Sequence, residues 1–212
     1  MFVGHYAVGF LLKKKFNEIP LWAYFIAVQF VDILAFSLVL FGVEKMSYNP
    51  TANPFLRTSM DYIPFTHSLS SSLIIALIVF LVIWKFKSKT WGIALSIGVI
   101  SHWFIDFIAH TPDMPLLFNS YKVGLGLWNY PWIAFALEIG FFLGAGYYLY
   151  KDAENLKRPI ILMALLVLLY TPTMFAPEEE MPVAVFSIVS LSLYFIFAAL
   201  AWWTERKQSS QS

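Results

Sequence analysis

The chain is dominated by long apolar segments separated by shorter polar connections. Of its 212 residues, 59% are hydrophobic and only 13% are charged. An α-helix needs about 20 predominantly apolar residues to cross the hydrocarbon core of a bilayer, where every backbone polar group must be satisfied internally. The pattern therefore predicts an all-α integral membrane protein, a polytopic helical bundle surrounded by the lipid bilayer.

Six apolar segments are predicted as transmembrane helices. They cover residues 21–43, 69–86, 91–109, 127–150, 159–175 and 182–203. The last two contain no ionisable residue except tyrosine, and we interpret them as scaffold. Residues 2–12 are apolar but too short to cross the membrane, which predicts a re-entrant or interfacial half-helix. We expect one integral-membrane helical domain over residues 1–207 and a polar tail over 208–212.

The basic residues predict the orientation of these segments. Eleven of the 14 Lys and Arg residues fall within residues 13–15, 85–89, 151–158 and 206–207. Because basic residues concentrate in cytoplasmic connections, these segments and the C-terminus are predicted to be cytoplasmic. The formal net charge of +1 gives no basic surface for nucleic acid.

The segment 91–109 leads into a repeat of ionisable residues at helical spacing. His102, Asp106 and His110 recur every fourth residue, so on a helix they share one face, with a rise of about 6 Å per step. His102 and Asp106 can then reach one metal ion and Asp106 and His110 another, with Asp106 as a bridging carboxylate. The alternative is that these side chains only hydrogen-bond one another and join neighbouring helices.

Three further ionisable residues are predicted as metal ligands. His5 lies on the N-terminal half-helix, Asp32 lies at mid-depth in the first span, and His67 lies at the mouth of the second. Ionisable groups at membrane depth are costly and usually functional. The alternatives are a polar contact for His5 and a buried structural carboxylate for Asp32. Thr66 or Ser68 is predicted to cap the second span.

These residues also form short motifs that resemble a known family. The motifs are Gly4-His5, Asp32, Thr66-His67-Ser68 and His102-x-x-x-Asp106. They resemble those of the membrane-bound metal-dependent hydrolases of bacterial inner membranes, over residues 1–150. The chain departs from the family where many relatives have a His-Arg pair and this one has residues 61–64, Asp-Tyr-Ile-Pro. The resemblance implies a hydrolase of the bacterial inner membrane.

Together the motifs and the resemblance predict a hydrolase with one or two divalent metal ions, zinc being favoured. Because the chain has no cysteine, nitrogen and oxygen must supply the ligands. A metal-activated water would attack an ester, amide or phosphoester of a lipid-like substrate in a site open to the outer face, with Asp113 or Glu138 as general base.

Two other functions are compatible with the same residues. A transporter or permease would use Asp32, His102 and Glu138 as a proton or cation relay. Such a relay needs titratable groups towards the cytoplasmic side, where the third span offers only Ser101 and Ser96 below His102. The second alternative is a catalytically inactive membrane scaffold.

Overall fold

The computed structural model describes residues 3–52, 57–172 and 181–206, and these residues are mostly helical. The helices are α1 (Val3–Lys15), α2 (Leu21–Val28), α3 (Phe30–Leu40), α4 (Leu69–Phe86), α5 (Lys89–Ala109), α6 (Pro131–Tyr150), α7 (Lys157–Tyr170) and α8 (Val183–Glu205). A short 3₁₀ helix, Leu127–Asn129, precedes α6. The predicted tail at 208–212, Lys207 and the end of the predicted span at 159–175 lie outside the described residues.

Four helices are long and apolar enough to cross a membrane, namely α4, α5, α6 and α8. The pair α2 and α3 meets the same requirement together, which makes five. These helices support the membrane class that the composition predicts. The described part of α7 has 14 residues, fewer than the roughly 20 that a crossing needs.

Helix α4 follows the predicted boundaries closely. It covers residues 69–86, and Ser68 caps it by accepting a hydrogen bond from the backbone N–H of Ser71 at 3.0 Å. Leu73, Leu77 and Leu81 along the helix are each about half exposed, as expected for a lipid-facing surface.

Helix α1 lies inside the bundle, where it packs against α2, α5 and α6. Tyr6 and Phe10 are fully buried and contact aromatic rings of other helices. The ring centroids of Tyr6 and Phe25 are 4.5 Å apart, and those of Phe10 and Phe142 are 5.3 Å apart. The N-terminal apolar segment thus forms part of the protein core, and its helix continues to Lys15.

The predicted span over 21–43 consists of two helices, because the helix breaks at Gln29. Helices α2 and α3 meet there at an angle of 52°. The break leaves the carbonyl of Val28, the last residue of α2, available to a partner outside the helix. That partner is His102, whose Nδ1 donates to the Val28 oxygen at 2.8 Å.

The connections between helices contain two antiparallel hairpins that the all-α prediction omitted. Strand β1 (Lys45–Tyr48) pairs with β2 (Thr58–Tyr62), and β3 (Met114–Leu117) pairs with β4 (Ser120–Val123). These segments are too polar or too short to be helical spans, and pairing satisfies their backbone groups.

Charged contacts join three basic segments at one end of the bundle. Lys13 at the end of α1 forms an ion pair with Glu205 at the end of α8, with an N–O distance of 2.8 Å. Lys14 lies 3.4 Å from Asp152 in the connection between α6 and α7. The ends of α1 and α8 and the α6–α7 connection therefore lie side by side.

Candidate metal centre

Four ionisable side chains converge where α3, α5 and the start of α4 meet. Asp32, His67, His102 and Asp106 each offer one ligand atom, and these atoms all lie within 4.8 Å of one another. His102 Nε2 lies 3.0 Å from Asp106 Oδ2 and 3.3 Å from Asp32 Oδ1. His67 Nε2 lies 3.1 Å from the same Asp32 oxygen. The group is hereafter the four-residue centre.

The spacing of these atoms fits a divalent metal ion. Ligand distances of about 2.0–2.1 Å in a tetrahedral zinc site put neighbouring ligand atoms roughly 3.3 Å apart. Three of the separations in the four-residue centre are 3.0, 3.1 and 3.3 Å. The separation between His67 Nε2 and Asp106 Oδ2 is wider, at 3.9 Å. Nitrogen and carboxylate oxygen are also suitable ligands for such an ion.

The hydrogen bond of His102 shows why the centre needs positive charge. Because Nδ1 donates to the Val28 carbonyl, a neutral His102 carries its lone pair on Nε2. That lone pair faces two buried carboxylate oxygens, and like charges at this distance repel. Either protons on the imidazoles or a metal ion must compensate the two carboxylates.

Asp32 is held by both local and distant structure. It lies in the first turn of α3, where the helix dipole favours a negative charge. Its Oδ2 accepts a hydrogen bond from the Tyr194 hydroxyl on α8 at 2.7 Å, which leaves Oδ1 directed towards the histidines. The interpretation of the last spans as scaffold therefore missed Tyr194, since nothing in the sequence distinguishes it from other aromatic residues of an apolar helix.

Helix α1 brings His5 to the edge of the four-residue centre. His5 Nε2 lies 3.3 Å from His102 Nε2 and 3.4 Å from Asp106 Oδ1. Its Nδ1 is buried and has no hydrogen-bond partner within the described residues. His5 is thus a further nitrogen donor, less firmly oriented than His102.

His110 lies directly after the last residue of α5. The helix ends at Ala109, ahead of the Thr111-Pro112 pair, and His110 has an extended backbone. Its Nδ1 hydrogen-bonds Asp113 Oδ1 at 3.0 Å, and its Nε2 lies 4.0 Å from Asp106 Oδ2. His110 and Asp113 therefore form a pair beside the four-residue centre, and His110 is not one of its members.

Glu138 lies on α6 and is fully buried. It interacts with the side chains of Tyr170 and Trp128 and with the backbone of Gly4. Glu138 therefore lies near the start of α1, and its partners differ from the residues that surround Asp106.

Comparisons with protein-family models, curated proteins and solved structures found no match to this chain. The fold and the site define its class directly. It is a mostly helical protein with membrane-compatible helices and a buried group of two histidines and two aspartates that can hold a metal ion.

Proposed function

We propose that this chain is a membrane-embedded metal-dependent hydrolase, related to the bacterial inner-membrane family whose motifs it resembles. The observation that supports the proposal is the convergence of Asp32, His67, His102 and Asp106 from separate parts of the chain. Ionisable groups among membrane helices are costly, and such groups commonly mark functional sites.

Zinc is the ion we propose for the four-residue centre. Histidine and carboxylate ligands also suit manganese and iron, but the separations near 3.3 Å correspond to the tetrahedral arrangement that zinc prefers. When bound, such an ion polarises the scissile group and lowers the pKa of a water molecule towards neutrality.

His110 is the group we propose as the general base. Its Nδ1–H donates to Asp113, so a neutral His110 carries its lone pair on Nε2, the nitrogen that lies 4.0 Å from Asp106. Histidine suits this role because one imidazole nitrogen can accept a proton while the other stays hydrogen-bonded to its partner. Asp113 then orients the base, and Glu138 takes no part in the proton transfer.

The substrate we propose is an ester, amide or phosphoester of a lipid-like molecule. Asp32 is the most accessible member of the four-residue centre, with 18% of its side chain exposed against 4% or less for the others. It lies beside the bend between α2 and α3, whose neighbouring residues are apolar. A route past Asp32 suits a substrate with an apolar body and a polar reactive group.

The topology we propose has six crossings in the bacterial inner membrane. Helices α2 and α3 form one crossing, α4, α5, α6 and α8 form four, and α7 belongs to the sixth. Helix α1 is the re-entrant half-helix. The contacts of Lys13 and Lys14 at one end of the bundle support a common, cytoplasmic side for these segments and the C-terminus.

The test is hydrolysis by the full-length protein in detergent, with fluorogenic esters, amides and phosphoesters of different acyl length. We expect turnover that a chelator abolishes and zinc restores. Asp113→Asn should lower kcat while metal content is retained, because the oriented base is lost. Asp61→Asn, the same change at an exposed site, should leave both unchanged.

Two outcomes would contradict this function. Full metal loading without turnover of any substrate in the panel would favour the inactive scaffold. Metal-dependent ion flux in proteoliposomes, without hydrolysis, would favour the transporter.

A further inference from the structure

Glu44 is a buried acid that the sequence motifs do not include. It precedes β1 in the connection between α3 and α4, and only 1% of it is exposed. Its Oε1 accepts hydrogen bonds from the backbone N–H groups of Phe65 and Thr66 at 2.9 and 3.1 Å. Its Oε2 accepts from the Thr66 hydroxyl at 2.7 Å. Glu44 therefore joins the two ends of this connection.

The Thr66 hydroxyl links this carboxylate to His67. Thr66 Oγ1 lies 3.0 Å from His67 Nδ1. A hydroxyl has one hydrogen, and here it is donated to Glu44, so the Thr66 oxygen must accept from His67 Nδ1–H. A neutral His67 then carries its lone pair on Nε2, the atom directed towards Asp32 Oδ1 at 3.1 Å.

We propose that Glu44 is a positioning residue of the metal centre, acting through Thr66 to fix the tautomer and the orientation of His67. The inference rests on the proposed function of the four-residue centre. The Val28 carbonyl has the same relation to His102, so both histidines have an acceptor that directs Nε2 inwards. Hydrogen-bond partners of this kind change metal affinity by about 10–100-fold when they are lost.

The variant Glu44→Gln distinguishes the positioning role from a purely structural one, in which Glu44 only holds the two ends of the connection between α3 and α4 together. The glutamine oxygen can still accept from the two backbone N–H groups, so the connection remains closed. The amide NH₂ then faces Thr66 and donates to its oxygen, and the Thr66 hydrogen turns towards His67 Nδ1. The proton of His67 is thereby moved to Nε2, where it blocks metal binding.

The experiment titrates the full-length, chelator-treated protein in detergent with Zn²⁺. We expect Glu44→Gln and Thr66→Val to weaken affinity by about 10–100-fold. Thr66→Ser, which keeps the hydroxyl, should retain the wild-type affinity. Glu154→Gln applies the same change as Glu44→Gln at an exposed residue and should have no effect. If Glu44→Gln does not fold, the Zn²⁺ affinities of Thr66→Val and Thr66→Ser decide whether the Thr66 hydroxyl positions His67.

A second measurement reports on His67 independently of the metal. The chain has four histidines, so ¹⁵N-histidine NMR spectra can be assigned by substitution. We expect Nδ1 of His67 to carry a proton in the wild type, with or without a second proton on Nε2, and to carry none in Glu44→Gln. A proton that stays on Nδ1 in the variant, or unchanged affinity in Glu44→Gln and Thr66→Val, would overturn the positioning role. A wild type that binds no Zn²⁺ would overturn the metal centre instead, and the NMR result would still decide the role of Glu44.

Discussion

Replacing His102 with alanine removes the side chain that faces both carboxylates of the four-residue centre. His102 Nε2 lies 3.0 Å from Asp106 and 3.3 Å from Asp32, and the ring is fully buried. Alanine has the highest helix propensity, so α5 should remain helical. We expect the variant to keep its fold and lose at least one bound metal ion per chain.

The expected effect of zinc on the melting temperature follows from the linkage between metal binding and the free energy of unfolding. A metal at 100 times its dissociation constant stabilises the folded wild type by about 2.7 kcal/mol. In a chain of this size each kcal/mol shifts the melting temperature by about 2–4 °C, so zinc should raise it by about 5–11 °C. The free energy of unfolding of the metal-free variant should also fall by about 1–3 kcal/mol, because the Val28 carbonyl loses its hydrogen-bond donor.

The assay combines elemental analysis, after purification without chelators, with thermal unfolding in detergent with and without zinc. Ser187→Ala is the control, because Ser187 is buried on α8 and donates only within its own helix, to the Val183 carbonyl. The Ser187→Ala variant should show the same zinc-induced rise in melting temperature as the wild type. Equal metal content in wild type and His102→Ala, together with an equal response to zinc, would refute the role of His102 as a metal ligand.

Two further predictions concern packing and topology. A Cβ at Gly124 would lie 2.5 Å from the His110 carbonyl oxygen, so Gly124→Ala should lower stability by about 1–3 kcal/mol in the same unfolding assay. Gly140→Ala is its control, because within the described residues the added Cβ meets no atom within 4 Å beyond its chain neighbours and the backbone of its own helix. Equal stability of the two variants would contradict the packing at Gly124. In intact cells an impermeant thiol reagent should label Lys122→Cys and not Lys87→Cys, since the chain has no other cysteine. Labelling of Lys87→Cys would contradict the orientation.

Hydropathy and spacing determined the features that depend on neighbouring residues. The apolar segment 69–86 coincides with α4, and Ser68 caps it as predicted. His102 and Asp106 lie on one face of α5 because four residues make about one helical turn. These properties arise within a single helix, so a stretch of sequence contains all the information they need.

The assembly of the centre depended on contacts between distant segments. Tyr194 donates to Asp32 across 162 residues, and Glu44 reaches Thr66 across 22. The break at Gln29 supplies the carbonyl that orients His102 from 74 residues away. A buried tyrosine in an apolar helix and a glutamate at the start of a connection have no local pattern that reveals their partners. Only the packing of the helices determines which hydrogen-bond acceptor each histidine meets, and therefore which nitrogen faces the centre.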